Sequence, residues 1–336
     1  MGGHTRRDGL VLAVDGGGMK TDLALLDSSG ALLAHVRGGR TQFHYLGVDG
    51  CIAVLEGLLS TALERAGLDP QAPVAAATAQ LLLAGIDIPE ELASLRAALE
   101  RLGWSEHLVV GNDTEALLRS GTERGWGAAV VCGTGINCLG VAQDGREARF
   151  LSFGLISGDW GGGGDIGVAA LAAAVRAADG RGPRSVLQTA VPAHFGLTDP
   201  YEVARAVHLE ELPAGRLGEL TPLVLAARGQ DAVAAEIVQR LAAEVVAFVR
   251  AALQRLELVD ADPDVVLGGR VLRSVAADVI EMIVDGVHRV APRARIVVSA
   301  SEPIVGAALL GLDAVGAGPA ARARARAELD RAIAGV

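Results

Sequence analysis

Apolar and polar positions near the start of the chain follow the pattern of short strands joined by tight turns. Val11–Asp27 reads VLAVDGGGMKTDLALLD: an apolar run, a turn of three glycines and a second apolar run with strand-type alternation. A Ser-Ser-Gly turn and a third apolar run follow. Such alternation is typical of half-buried strands. The pattern predicts strand, glycine turn, strand, turn, strand.

Helical and strand patterns alternate in the next part of the chain. Val48–Gly67 carries apolar residues at helical spacing and ends on a glycine, which predicts a helix. The apolar segments TAQLLLAG and HLVVGND predict strands, and a helical pattern follows each of them, the first from near Pro89. After its three opening strands, the chain is therefore predicted to run helix, strand, helix, strand, helix.

A second block repeats the first. Trp126–Gly154 again reads strand, glycine turn, strand, turn, strand, and its turn at Gly133 lies 117 positions after Gly16. Helical stretches after Asp165 interrupt this block, which the strands PDVVLGG and ARIVVSA then complete. A β-β-β-α-β-α-β-α block that occurs twice predicts an α/β fold of two similar domains. We expect the two glycine turns to face a shared cleft, which suits a nucleotide held by its phosphates from both sides.

The repeat also predicts domain boundaries. The N-terminal domain is expected at residues 1–120, with a C-terminal helix at about 316–334 returning to it. The second domain is expected at residues 121–315, with the helical stretches as insertions.

Composition narrows the class of protein. The chain is 51% hydrophobic and 21% charged, so it can bury a large core. Its formal net charge is -10 and it has no basic block, which argues against nucleic acid as a partner. No uninterrupted apolar run reaches the roughly 18 residues of a membrane span, and no signal-peptide pattern opens the chain. We expect a cytoplasmic protein without a membrane partner.

The first glycine turn has the chemistry of an anion site. It fits neither a P-loop, because Met19 precedes Lys20, nor a dinucleotide fingerprint, because Thr21 replaces the third glycine. Glycines let backbone N–H groups approach an anion closely, and Asp15 is placed to hold a hydrated cation. Lys20 is the only lysine in the chain, and a compact ammonium suits a crowded phosphate pocket. The alternative is that one lysine survives by chance in an arginine-rich chain.

Six segments, in order, resemble one family. They are DGGGMKTD, GND before a helix, GTGIN, GLISGDWGGGGDIG, VVLGGRVLRS and SEPIVGAALLGL. The duplicated fold resembles the superfamily of acetate and sugar kinases, heat-shock chaperones and actin, with its ribonuclease H-like, actin-like ATPase domains. Within it, the segments are similar to the BadF/BadG/BcrA/BcrD-type ATPase and N-acetylglucosamine kinase family. The resemblance covers nearly the whole chain.

The resemblance implies ATP and Mg²⁺ as cofactors and gives each segment a role. It implies that Asp15 acts on Mg²⁺ through water. It also implies that residues of both glycine turns contact the phosphates, that two further glycines pass beneath the adenosine, and that other residues flank the base. The implied nucleotide-binding residues are, in that order, Gly17, Gly18, Lys20, Thr21, Thr134 and Gly135, then Gly268 and Gly269, then Ala226 and Gly229.

Asp113 matches the family's catalytic aspartate. It follows an apolar strand at the start of a helix, where a side chain points to the carboxyl edge of the sheet. Phosphoryl transfer depends mainly on positioning and charge neutralisation, and a carboxylate suffices to orient a sugar hydroxyl and accept its proton late. The alternative is that Asp113 only caps the helix, although Thr114 could cap it equally well.

The acceptor is expected to be a small-molecule sugar, most simply N-acetylglucosamine or glucosamine. The resemblance implies that Asp159 binds sugar hydroxyls and that Asn137 reaches the same sugar. Phe43 and His44 fall in the loop TQFHYLG, which contacts the substrate in the related sugar kinases. We further expect a homodimer.

Two other functions stay open at this stage. One is an ATPase that activates acyl-CoA dehydratases or reductases through an iron–sulfur cluster. Cys132 and Cys138 lack the spacing of cluster ligands and are expected to pack in the core. The other is a non-catalytic nucleotide or sugar sensor, against which both glycine turns, Asp15 and Asp113 argue.

Overall fold

The structure, a computed structural model, describes residues 9–71 and 76–335. The described residues form two compact units of similar size. Unit 1 draws on the described residues within 9–129, 149–151 and 299–335, and unit 2 on Val130–Ala148 and Ser152–Val298.

The helices and strands of the described residues follow in chain order. They are β1 (Val11–Gly16), β2 (Thr21–Leu26), β3 (Leu32–Gly38), α1 (Phe43–Arg65), β4 (Ala76–Leu83), α2 (Pro89–Glu100), β5 (Ser105–Gly111), α3 (Asp113–Gly121), β6 (Gly127–Cys132), β7 (Ile136–Val141), β8 (Glu147–Arg149), α4 (Gly163–Ala178), α5 (Leu187–His194), α6 (Pro200–His208), α7 (Thr221–Ala227), α8 (Ala232–Arg255), β9 (Asp264–Gly268), α9 (Gly269–Ser274), α10 (Ala277–His288), β10 (Arg295–Val298), α11 (Pro303–Ala314) and α12 (Pro319–Ala334), with 3-10 turns at Gly154–Ile156 and Ala214–Leu220.

Unit 1 is built on a sheet in the order β3-β2-β1-β4-β5. The central strand, β1, pairs antiparallel with β2 and parallel with β4. Leu12 and Val14 of β1 lie in one core cluster with α1, whereas Val11 and Ala13 lie in a second cluster with α11 and α12. Because successive residues of a strand point to opposite faces, helices on both sides bury this strand completely.

Helix α1 is the one described helix that is long and apolar enough to cross a membrane by length and composition. Cys51, Leu55 and Leu59 of this helix are buried in the core of unit 1. Gly47, with a φ of 61°, interrupts its helical geometry after one turn. The burial of these side chains is that of a helix that packs against a sheet.

Unit 2 repeats the topology of unit 1. Its sheet has the order β8-β7-β6-β9-β10, which is the order of β3-β2-β1-β4-β5 strand for strand. Helices α4 to α8 lie between β8 and β9 in the chain, where the sequence predicts insertions. The predicted duplication of an α/β block is therefore confirmed.

The compact units divide the chain differently from the predicted boundaries, which stay a prediction about domains. The predicted second domain extends to residue 315, whereas α11 belongs to unit 1 together with α12. Ile304, Val305 and Leu309 of α11 are fully buried in the second core cluster. Helix α11 is apolar on nearly every side, and most of its residues are buried.

Candidate active site

The first glycine turn joins β1 to β2 in unit 1. The N–H of Gly17 donates to the carbonyl oxygen of Lys20 at 2.8 Å, which closes the turn. At Gly16 a Cβ atom would overlap the side chains of Thr41 and Leu83, so glycine is needed there. The turn residues Gly17 and Gly18 are partly exposed, while Thr21 at the start of β2 is buried. The turn thus presents backbone at the end of a buried hairpin.

Two carboxylates hold the only lysine of the chain. Its Nζ donates to Asp22 Oδ2 at 2.8 Å and to Glu302 Oε2 at 3.1 Å. Asp22 is fully buried, whereas the side chain of Glu302 is 22% exposed. Neither partner was predicted. Asp22 lies in the apolar strand β2, and Glu302 is 282 residues from Lys20 in sequence.

Asp22 is fixed as an anion. Burial alone raises its pKa, but hydrogen bonds from His35, Arg37 and Lys20 lower the pKa of Asp22 well below its ordinary value. Arg37 donates from Nε at 2.8 Å and from Nη2 at 3.2 Å, in the two-point geometry typical of arginine and carboxylate. Asp22 is therefore an ionised carboxylate that orients the Lys20 ammonium.

Asp15 lies at the end of β1, where negative charge is concentrated. It is only 8% exposed. Burial, followed by the charges of Asp113 and Asp22, raises the pKa of Asp15 well above its ordinary value, and Lys20 opposes that rise. A cation at this place would relieve the repulsion among these carboxylates.

The start of α3 shows which residue caps the helix. Asn112 is the N-cap: its Oδ1 accepts hydrogen bonds from Thr114 N at 3.1 Å and from Thr114 Oγ1 at 2.7 Å. Asp113 is the first residue of the helix and is half-buried. Its carboxylate is therefore not the cap, contrary to one of the two interpretations of the sequence.

The environment of Asp113 suits a group that exchanges a proton near neutral pH. Burial, followed by the charge of Asp87, raises the pKa of Asp113 to about 7, against the opposing effect of backbone N–H groups at the start of α3. A carboxyl with this pKa is ionised in roughly half of the molecules at neutral pH and accepts a proton more readily than an ordinary aspartate.

Phe43 and His44 begin α1. Phe43 packs against the core of unit 1, whereas His44 is exposed and lies between two carboxylates, those of Asp87 and Glu91. The sequence did not single out Asp87 or Glu91, which follow β4 in the segment AGIDIPEE. A substrate contact of Phe43 or His44 stays a prediction.

The second glycine turn, between β6 and β7 in unit 2, is held by the start of α4. Thr134 and Gly135 are exposed. The N–H of Gly163 donates to the carbonyl of Gly133 at 2.9 Å, and that of Gly164 donates to the carbonyl of Thr134 at 3.0 Å. At Gly162 a Cβ atom would overlap the backbone of the turn, so glycine is needed at that position. The structure thus joins GTGIN and GDWGGGGDIG into one site.

Asp159 and Asn137 border this glycine-rich site. The Ser157 hydroxyl donates to Asp159 Oδ2, and Asp159 is 8% exposed. Asn137 Oδ1 accepts from the Cys138 N–H at 2.7 Å. The adjacent Trp160 is buried, with the Arg240 guanidinium 4.2 Å from its ring centroid. The hydrogen bond from Ser157 thus fixes the orientation of the Asp159 carboxylate.

The predicted adenosine residues lie in two places of unit 2. Gly268 ends β9, and Gly269 has a φ of 86° and lies so close to the Cys132 backbone that a Cβ atom would overlap it. This contact brings the β9 turn next to the end of β6. Ala226 and Gly229 are exposed in and after α7, whose first residue donates a hydrogen bond to Gly163.

The three cysteines of the chain, Cys51, Cys132 and Cys138, are buried. Burial raises the pKa of Cys132 and of Cys138 well above the ordinary value of a thiol. Cys132 and Cys138 therefore pack in the core, as the sequence predicts.

Comparisons with known proteins identify the class and then the family. The fold of two duplicated α/β units is that of the actin-like ATPases and sugar kinases. The model of the BadF/BadG/BcrA/BcrD ATPase family matches residues 12–311. The chain therefore belongs to this family, which identifies it as an enzyme that uses ATP, and the resemblance predicted from the sequence is confirmed.

Three relatives illustrate the likeness. The N-acetylmuramic acid/N-acetylglucosamine kinase of Clostridium acetobutylicum is 27% identical over 269 residues, which cover 79% of this chain and 86% of that protein. The N-acetyl-D-glucosamine kinase of Dictyostelium discoideum is 26% identical over 315 residues, covering 90% and 98%. The solved structure of a candidate N-acetylglucosamine kinase from Chromobacterium violaceum has a TM-score of 0.72 at 25% identity, covering 91% of this chain and 99% of that one.

Proposed function

We propose that this protein is an ATP-dependent sugar kinase that transfers the γ-phosphoryl group to a hydroxyl of an amino sugar, most simply N-acetylglucosamine or glucosamine. The observation that carries the proposal is the environment of Asp113, which leaves its carboxylate free of the capping role and raises its pKa. Asn112 caps α3 in its place, and burial raises the pKa of Asp113 to about 7. The kinases of Clostridium acetobutylicum and Dictyostelium discoideum named above support the class of substrate.

In this proposal, Asp113 accepts the proton of the sugar hydroxyl. The hydroxyl oxygen bonds to the γ-phosphorus as the bond from phosphorus to the ADP oxygen breaks. A carboxylate poised near neutral pH suits a proton transfer that occurs late in the reaction. Asp159 holds sugar hydroxyls, with Asn137, Phe43 and His44 as the further predicted contacts.

The nucleotide is proposed to bind at both glycine turns. Gly17, Gly18, Lys20 and Thr21 of unit 1 and Thr134 and Gly135 of unit 2 are the proposed phosphate contacts. Gly268, Gly269, Ala226 and Gly229 are proposed to meet the adenosine. The exposure of Thr134 and Gly135 and the partial exposure of Gly17 and Gly18 support these roles, because backbone must be accessible to bind a phosphate.

Mg²⁺ is the proposed metal, and the charges around Asp15 fit it. The carboxylates of Asp22, Asp113 and Glu302 all raise the pKa of Asp15 after burial, so a divalent cation would stabilise the ionised site. Within residues 9–71 and 76–335, no three His, Cys, Asp or Glu side chains are grouped to hold a metal ion. The ion would therefore keep several of its waters and supply charge neutralisation to the phosphates.

A panel of acceptors tests the proposal. We expect purified protein with ATP and Mg²⁺ to release ADP in the presence of N-acetylglucosamine or glucosamine, and far less with glucose or without sugar. Equal release with and without sugar would instead support an ATPase activator, and tight binding without release would support a sensor. The homodimeric state and the cytoplasmic location stay predictions.

Removing the Lys20 ammonium should weaken ATP binding. Lys20→Ala is expected to raise the Kd for ATP by about tenfold or more, the effect of losing a charge-assisted hydrogen bond of about 1.5–3 kcal/mol. Lys20→Arg should also bind ATP poorly, because the broad guanidinium cannot replace an ammonium that two carboxylates hold at 2.8 and 3.1 Å. Calorimetric titration with ATP provides the measurement.

Arg96→Ala is the matched control for this loss of a cation. Arg96 is half-exposed on α2 and pairs with Glu100 at 2.9 Å. Its removal should leave ATP binding unchanged. Wild-type affinity in Lys20→Arg would show that the compact shape of the ammonium is not the reason for the lone lysine.

A further inference from the structure

A histidine lies between two carboxylates beside the start of α3, and the proposed reaction gives these carboxylates no role. His44 Nε2 is 3.7 Å from Asp87 Oδ2, and His44 Nδ1 is 3.4 Å from Glu91 Oε1. Gly85, with a φ of 77°, brings its backbone next to the imidazole: a Cβ atom there would lie 3.1 Å from His44 Cδ2. Glu91 is held in turn by the N–H of Asp87, which donates to its Oε2 at 3.0 Å. The imidazole therefore lies beside both acids.

Asn112 joins this cluster to the candidate base. Its Nδ2 donates to Asp87 Oδ1 at 2.9 Å and to the carbonyl of Ile86 at 3.2 Å. Its Oδ1 caps α3, whose first residue is Asp113. Asn112 is 3% exposed and uses both ends of its amide, so the Asp87 carboxylate is fixed relative to the first turn of α3.

The charges around Asp113 come from several elements. Two negative charges raise the pKa of Asp113: that of Asp87, in the loop before α2, and that of Glu115, in α3. Asp113 in turn raises the pKa of Asp15 at the end of β1. Arg149 Nη2 donates to Glu115 Oε1 at 2.8 Å, which offsets that carboxylate. After burial, the charge of Asp87 is the largest influence on the pKa of Asp113.

The ionisation of Asp87 also depends on its neighbours. Burial raises the pKa of Asp87 to about 6; His44 opposes this rise, and Glu91 adds to it. The charge that Asp87 exerts on Asp113 therefore varies with pH around neutrality. Two carboxyl groups that interact in this way titrate as a pair.

We propose that Asp87, held by Asn112 and paired with His44, is a positioning residue that sets the pH range in which Asp113 can accept a proton. The inference rests on the proposed function, in which Asp113 is the base. The negative charge of Asp87 opposes ionisation of Asp113 and so makes it a stronger proton acceptor. The His44 imidazole lowers the pKa of Asp87 and so favours that negative charge.

Asp87→Asn tests the inference directly. Asparagine keeps the size and the acceptor for Asn112 but removes the charge. In protein labelled with ¹³C-aspartate, the titration midpoint of the Asp113 carboxyl, assigned from its loss in Asp113→Asn, should fall by about half a pH unit or more, which is a threefold change in proton affinity. The acid limb of the kcat/KM profile should move to lower pH by the same amount. A merely structural role for Asp87 would not shift this limb.

Two further variants complete the test. Asp260→Asn makes the same charge change at an exposed residue of unit 2 and should leave the Asp113 midpoint in place. Asp87→Ser removes the same charge with a smaller side chain and should lower that midpoint as well, so the inference remains testable if Asp87→Asn does not fold. An unchanged midpoint in either folded variant overturns the inference. Absence of sugar-dependent ADP release from the wild type would instead overturn the proposed function, while the titration still decides the role of Asp87.

Discussion

Asp113→Asn is expected to reduce sugar-dependent ADP release by about a hundredfold or more, the scale for losing a positioned general base. Asparagine has the size of aspartate and keeps a hydrogen bond to the sugar, so the Kd values for sugar and ATP should change little. It cannot accept the hydroxyl proton. Because Asn112 provides the helix cap, the substitution should also leave α3 intact. Steady-state kinetics measures the loss of rate, and separate binding titrations measure the Kd values for sugar and ATP.

The pH profile and a second variant sharpen this prediction. The pKa of Asp113 is raised to about 7, so the wild-type rate should increase as pH rises through about 7 and the carboxylate forms. That limb should be absent from Asp113→Asn. Asp159→Ala should instead raise the KM for the sugar, because a carboxylate that holds hydroxyls binds the ground state and the transition state alike. Wild-type turnover in Asp113→Asn would show that this residue is not the base.

Local sequence patterns predicted most of the fold. The strand, turn and strand order of both blocks appears as predicted, and α2 begins at Pro89 as expected, because a glycine turn or an N-terminal proline acts within a few residues. The repeated strand order followed from the repeated pattern. The position of α11 did not, because a helix that is apolar on nearly every side does not indicate which sheet it covers.

The same limit applies to the candidate site. Lys20 and Asp113 could be singled out from neighbouring residues in the sequence. Glu302 could not be assigned to Lys20, since 282 residues separate them and only the folded chain brings them together. Asp87 was missed for a similar reason: its partners, His44 and Asn112, lie on two other elements. A carboxylate in a loop has no periodic signal that distinguishes it from a solvated one.

Gly306→Ala should destabilise unit 1 strongly, because α11 and α3 touch backbone to backbone at this residue. A Cβ atom at Gly306 would overlap the carbonyl of Ala116 and lie 2.9 Å from the N atom of Ser120. Both are backbone atoms of α3, so no side-chain rotation can relieve the overlap. Overpacking of this kind costs about 1–3 kcal/mol or more. Since α3 begins with Asp113, any shift of this helix that accommodates the methyl group should also lower sugar-dependent turnover.

Gly57→Ala is the matched control, because Gly57 is an exposed glycine of α1 with nothing within 4 Å of the added Cβ atom. Alanine is the better helix former, so this variant should be more stable than the wild type by about 0.5–1 kcal/mol. Thermal unfolding should therefore show a lower Tm for Gly306→Ala and an equal or higher Tm for Gly57→Ala. The same Tm for both variants would mean that α11 and α3 are not in close backbone contact at Gly306. The separation between the two Tm values measures that contact directly, since both variants add the same methyl group to a helix of unit 1.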